Sequence, residues 1–204
     1  MRAPAKLYLA SSNPGKLGEY RVLAAATALS LRVELEVLPG FDELPPFEES
    51  APTFAENAAG KALHYSRLRE GMVFADDSGL VVPALGGAPG VHSARYTGTQ
   101  ATNAQRIEKL LSDMQGKTGN ERAAYFVCVI ALAEKRQVIA VVTDRVDGEI
   151  LESPRGRGGF GYDPVFYFPA LKKTFAELSA EEKNQFSHRG KAFRRLLGAL
   201  SSML

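Results

Sequence analysis

The chain has 204 residues, 45% of them hydrophobic and 24% charged, with a formal net charge of +2 at pH 7. That composition supplies a sizeable core and excludes a disordered chain, and so small a net charge is by itself no reason to expect a nucleic-acid or membrane surface. A single cysteine, Cys128, excludes an internal disulfide framework and a cysteine-based zinc site. No run approaches 18 apolar residues, and the start Met1-Arg2-Ala3-Pro4-Ala5-Lys6 has no apolar signal core, so a cytoplasmic protein without a membrane span is expected.

Leu7-Tyr8-Leu9-Ala10 reads as a short strand running into Ser11-Ser12-Asn13-Pro14-Gly15-Lys16. Asn13 is a good N-cap and Pro14 suits the first helical position, which predicts a helix to about Ala28. A strand, a polar turn and a helix start make an anion site, and Lys16 adds an ammonium; a merely capped helix is the competing reading. The Walker pattern is absent, with no glycine at the required spacing before Gly15-Lys16 and Leu17 after the lysine. Val33–Val37 alternates apolar and acidic residues, a half-exposed strand. A Pro-rich acidic loop follows, containing Glu48 and Glu49. Thr53-Phe54-Ala55-Glu56 is a capping box opening a helix to about Arg69. Asn57 and Lys61, four apart on that helix, read as a solvated face.

Met72-Val73-Phe74-Ala75 predicts a buried strand that ends in Asp76-Asp77-Ser78-Gly79. If the strand continues through the two carboxylates, they point to opposite faces, so one holds structure while the other faces a cleft. A carboxylate on such a rigid support suits Mg²⁺. The competing reading is an Asp-rich turn. Asp76 is read as the supporting member. Thr102-Asn103-Ala104-Gln105 starts another capped helix, to about Met114. Two long strands, about 123–133 and 138–148, are joined by the polar turn Glu134-Lys135-Arg136-Gln137. Cys128, in the first of them, reads as a small buried hydrophobe.

Gly156 to Pro164 is the most glycine-dense segment, and Val165–Phe168 reads as a strand. Thr174-Phe175-Ala176-Glu177 and Ser179-Ala180-Glu181-Glu182 read as helix starts, and Ser187-His188-Arg189-Gly190 leads into a C-terminal amphipathic helix. His64 and His92 lack metal-ligand spacing and read as structural; Arg194 and Arg195 read as a solvated face. Arg155 and Arg157 read either as surface charges or as reaching phosphate. Strands alternating with helices around a long hairpin argue for a mixed α/β fold in which the hairpin and its neighbours form a second lobe.

Five segments together resemble the inosine/xanthosine triphosphate pyrophosphatases: Ser11-x-Asn13-x-x-Lys16, Asp76-Asp77-Ser78-Gly79-Leu80, Gly86 to Tyr96, Gly159-Phe160-Gly161-Tyr162-Asp163-Pro164, and Ser187-His188-Arg189-Gly190. The resemblance runs from about Lys6 to Leu200, which makes the chain a single domain of two lobes. It implies an elongated α/β fold with a central mixed sheet, an active-site cleft between lobes, and a homodimer. It implies Mg²⁺-dependent hydrolysis of dITP, ITP and XTP to the monophosphate and pyrophosphate. Carried over by position, Ser11, Ser12, Asn13, Pro14, Gly15 and Lys16 bind the triphosphate. Glu48 and Asp77 ligate Mg²⁺, with Glu49 the neighbouring alternative to Glu48. Asp77 accepts the proton of the attacking water, and Ser78 touches substrate. Phe160, Gly161, Tyr162, Asp163, Lys183, His188 and Arg189 surround the nucleotide and its base. Phe160 or Tyr162 offers a ring for stacking, and Arg189 or His188 a donor for the purine 6-oxygen.

Overall fold

The computed structural model describes residues 5–27 and 33–203. The expected helix end at Ala28 and the first four residues lie outside them. The strands are β1 (Ala5–Leu9), β2 (Val33–Val37), β3 (Met72–Val81), β4 (Ala123–Glu134), β5 (Gln137–Ile150), β6 (Phe166–Phe168) and β7 (Lys173–Thr174). The α-helices are α1 (Pro14–Thr27), α2 (Phe54–Ser66), α3 (Asn103–Asp113), α4 (Ala180–Phe186) and α5 (His188–Met203). The sheet order is β2-β1-β3-β4-β5-β6-β7. β1 pairs in parallel with β2 and β3, whereas β5–β6 and β6–β7 are antiparallel, so the sheet is mixed and the fold α/β.

The chain forms two compact units. Among the described residues, the first comprises 5–27, 33–77, 128–144 and 189–203. Its strands show why period-two sequence makes a two-sided core. Along β4, Cys128, Ile130 and Leu132 pack with Leu7, Leu9, Tyr20, Phe74, Phe193 and Leu196, the α1 and α5 side. The intervening Val129, Ala131 and Ala133 pack with Ala58, Ala62 and Tyr65 of α2. Alternation therefore sends successive residues to different helices. The second unit comprises residues 78–127 and 145–188. Its core joins Ile107 and Leu110 of α3 to Phe126, Val146, Tyr162, Phe166 and Phe175.

Several local expectations change. β3 does not stop at the carboxylates: it runs through Asp76-Asp77-Ser78-Gly79 to Val81, which overturns the Asp-rich turn. α2 ends at Ser66, short of Arg69; the next residues make turn hydrogen bonds back to His64 and Tyr65. The β4–β5 connection is two residues, Lys135 and Arg136, both at positive φ (50° and 67°), the geometry of a tight hairpin turn whose twist matches the strands. Thr174 ends β7 and caps a 3₁₀ turn, Phe175–Glu177, instead of starting an α-helix. The capping boxes at Thr102 and Ser179 form as their spacing predicts.

Candidate functional site

In the first unit, β1 delivers the chain to Ser11, whose Oγ accepts the Asn13 amide at 3.2 Å. Asn13 Oδ1 in turn accepts the Lys16 amide at 3.1 Å and so caps α1. Ser12, Asn13 and Pro14 are exposed, and Gly15 and Lys16 half-buried. The turn thus presents a helix N-terminus to solvent, which favours an anion. The Lys16 side chain does not extend outward. Its Nζ reaches the Asp76 backbone carbonyl at 3.1 Å and Asp76 Oδ2 at 3.2 Å.

β3 then separates the two carboxylates as alternation requires. Asp76 shares the α1/α5 side with Phe74 and Cys128; Asp77 shares the α2 side with Val73 and Ala75. Burial alone would raise the Asp76 carboxyl, but Lys16 and Arg189 hold it well below the usual carboxylate range. Asp77 behaves oppositely. Burial pushes it up to about 6, although Lys16 and the Asn57 amide favour the ionised form. Its Oδ2 accepts from Asn57 Nδ2 at 3.0 Å. The two aspartates are therefore chemically unlike: one is locked as an anion, the other is poised near neutrality.

The face of α2 bearing Asn57 and Lys61, read from sequence as solvated, turns inward. Asn57 is 1% exposed and also closes the acidic loop by accepting the Ala51 amide at 2.9 Å. Lys61 Nζ binds Glu49 Oε1 at 2.7 Å. Glu49 is the loop carboxylate whose charge reaches Asp77, while Glu48 is exposed. The i, i+4 spacing of Asn57 and Lys61 was the available signal; which side of α2 packs inward was not written in it.

In the second unit, the Gly-aromatic loop folds around Asp163. Its Oδ2 accepts the Phe160 amide at 2.7 Å and forms an ion pair with Lys183 Nζ. Lys183 lies over the Phe160 ring, 4.7 Å from its centroid. Gly159, at φ +70°, has no room for a Cβ against the Asp163 carboxylate. Tyr162 is buried, and its hydroxyl donates to the Ser93 carbonyl at 3.0 Å, whereas Phe160 is half-buried. Gly161 is half-buried with open space at its Cα, and Ser78, in β3, is half-buried. His188 is buried with its ring stacked on Phe126 at 4.8 Å.

Arg189 is engaged by carboxylates of the first unit. Its side chain is 2% exposed, with the guanidinium held by Asp76 and by Glu19. The expected donor to a purine oxygen is thus engaged by two carboxylates. Sequence reading missed Glu19, although it lies three residues after Lys16 on α1 and hence on the same face. His64 Nε2 lies 2.9 Å from the Pro45 carbonyl, a structural contact as expected. Arg155 pairs with Glu177 at 3.3 Å and lies over Tyr167, which favours the surface reading for it. Arg195 binds Asp144 at 2.6 Å while remaining exposed.

Among the described residues, no three His, Cys, Asp or Glu side chains gather as a metal-holding group. Mg²⁺ sites commonly use only one or two carboxylates, the remaining ligands being phosphates and water. A buried carboxyl raised to about 6, with a second carboxylate near enough to raise it further, is a hard-oxygen donor set that a dication would relieve. The residues present fit such an ion.

With this geometry in view, the Ham1 family model matches residues 7–199. The chain belongs to the Ham1 family. Among relatives, the dITP/XTP pyrophosphatase of Geobacillus kaustophilus is 49% identical over 191 residues, 94% of this chain and 92% of that protein. The dITP/XTP pyrophosphatase of Acidobacterium capsulatum is 49% identical over 203 residues, covering 95% and 97%. Among solved structures, a HAM1 protein from Coxiella burnetii superposes with a TM-score of 0.85 at 41% identity, covering 97% of this chain and 99% of that one. The Staphylococcus aureus Ham1 protein gives 0.84 at 38% identity, covering 98% and 100%. The α/β architecture described above is the Ham1 fold. Among the described residues, no helix is long and apolar enough to cross a membrane.

Proposed function

We propose that this Ham1-family chain is a nucleoside triphosphate pyrophosphatase that hydrolyses dITP, ITP and XTP to the monophosphate and pyrophosphate, with Mg²⁺. The observation that carries the reading is the pairing on one strand of two unlike aspartates. Asp76 holds the Lys16 ammonium beside the opening turn of α1, and Asp77, oriented by Asn57, offers a carboxylate with raised proton affinity. The triphosphate lies on Ser11 to Lys16. Asp77, with Glu48 or Glu49, would hold Mg²⁺, whose contribution when bound is to neutralise charge on the phosphate oxygens. Glu49 has the better claim of the two in this structure, being half-buried and in electrostatic reach of Asp77.

In the proposed reaction, a water oxygen attacks the α-phosphorus, the bond to the bridging oxygen breaks, and pyrophosphate leaves. Asp77 accepts the water proton. A base whose proton affinity lies nearer the working pH transfers protons more effectively than an ordinary carboxylate. Phe160, Asp163, Lys183 and His188 serve the base, with Ser78 contacting substrate. Phe160 stacks, and Lys183, fixed by Asp163, presents a cation. A donor facing the 6-oxygen of hypoxanthine or xanthine would meet another donor in adenine, and such a mismatch discriminates by about 10⁴–10⁵. A cytoplasmic homodimer belongs to the same proposal, and sedimentation measures the dimer directly.

The test is a panel of ITP, XTP, dUTP and ATP with Mg²⁺, scored for pyrophosphate. Turnover of ITP and XTP well above the others supports the reading. Faster turnover of dUTP overturns the base preference.

A further inference from the structure

Lys16 shares its carboxylate with a second cation. Asp76 Oδ2 accepts from Lys16 Nζ at 3.2 Å, from Arg189 Nε and Nη2 at 3.3 Å each, and from Cys128 Sγ at 3.7 Å. Oδ1 of the same carboxylate, buried, has no hydrogen-bond partner. Three donor groups therefore crowd one oxygen. The third guanidinium nitrogen, Nη1, pairs with Glu19 Oε2, and both side chains are buried or nearly so. Two cations and two anions thus form one neutral chain, Lys16–Asp76–Arg189–Glu19, within the first unit. A planar fork is suited to bridging two carboxylates at once, which an ammonium on a flexible stem is not.

An ammonium facing a buried carboxylate alone would be largely spent on it. Here Arg189 already neutralises Asp76 from another side. We infer that Arg189 is a positioning residue for Lys16: by occupying Asp76 Oδ2 it keeps the Lys16 charge available to phosphate, and Glu19 sets how much of the guanidinium charge Asp76 receives. This rests on the reading that Lys16 meets the triphosphate. It assigns Arg189 a task separate from any contact with the base.

The probe is inorganic tripolyphosphate, which has no base or sugar, titrated calorimetrically into the full chain. Lys16→Met tests the underlying reading, and binding equal to wild type overturns both that reading and the inference. The double variant Glu19→Gln/Arg189→Met removes one charge of each sign. Asp76 then falls back on Lys16, so tripolyphosphate should bind about tenfold more weakly, and KM for ITP should rise similarly with kcat within about threefold. Glu19→Gln alone shifts Arg189 onto Asp76, so tripolyphosphate should bind as well as or better than to wild type. Weaker binding in the double variant without weaker binding in Glu19→Gln supports the inference. Weaker binding in both, in step with lost thermal stability, marks a merely structural ion pair and overturns it; so does no change in either while Lys16→Met loses binding. Should the double variant not fold, Arg189→Lys decides: it keeps the charge without the fork, and weakened tripolyphosphate binding supports the inference, whereas wild-type binding overturns it.

Discussion

In Asp77, burial raises the carboxyl to about 6 against the opposing influence of Lys16 and Asn57. The sign of the linked stability follows. Between the ordinary value of 3.8 and about 6 the folded state binds the proton more tightly than the unfolded one, so stability of the metal-free protein falls as pH rises through that window. Asp77→Asn removes the ionisation and keeps an acceptor for Asn57. At pH 7 without divalent ions it should therefore be more stable than wild type, by about 1–3 kcal/mol, while losing activity by about 10²–10⁴-fold. Thermal melts at pH 4 and pH 7 check this, and a variant less stable at pH 7 would contradict it. Asn57→Leu has the opposite balance. It removes the Asn57 amide from Asp77 Oδ2 and unties the Ala51 loop, and should destabilise by about 1–3 kcal/mol, measurable by urea unfolding. Tyr96 gives a separate titration. Burial and its hydrogen bond to Asp113 at 2.6 Å push the phenol up to about 12. Its contribution is complete below pH 10, the ordinary tyrosine value, and is lost as pH rises through about 12. Tyr96→Phe should be less stable at neutral pH and lose less stability over that range.

At the scale of elements, one connection carries identifiable strain and another tolerates only glycine. Lys135 and Arg136 both sit in the left-handed region between β4 and β5, where ordinary side chains cost about 1 kcal/mol or more each. Replacing the pair with Asn-Gly should raise the melting temperature without altering turnover, since the geometry is the one that dipeptide prefers. In the loop before β6, Gly159 combines a positive φ with a backbone pressed on the Asp163 carboxylate. Gly159→Ala should displace that carboxylate from the Phe160 amide and from Lys183, destabilising by about 1–3 kcal/mol and raising KM for ITP. β3 explains why a pair of adjacent carboxylates is useful at all. An unbroken strand sends Asp76 to the α1/α5 side and Asp77 to the α2 side, giving one a pair of cations and the other an amide.

Over the whole molecule, what could be read from sequence was what local periodicity and spacing encode. The helix cap at Asn13, the capping boxes at Thr102 and Ser179, the β4–β5 hairpin and the opposite facing of Asp76 and Asp77 all follow from rules spanning a few residues. What escaped was long-range. Nothing near Asn57 announces that its face of α2 packs inward against a residue 20 positions away. The Arg189–Glu19 pair joins the two ends of the chain across 170 residues, and local pattern therefore offered Arg189 only as one member of a polar motif. The α/β class and the Ham1 membership are properties of nearly the whole chain. The chemistry depends on a few side chains and is tested at the phosphates. The most direct measurement is the product formed from ITP with Mg²⁺, resolved from the first turnovers, for wild type and Asp77→Asn. Pyrophosphate and inosine monophosphate as first products from wild type, with the variant nearly inactive, is the predicted result. Orthophosphate as the first product, or undiminished turnover by Asp77→Asn, would contradict the account.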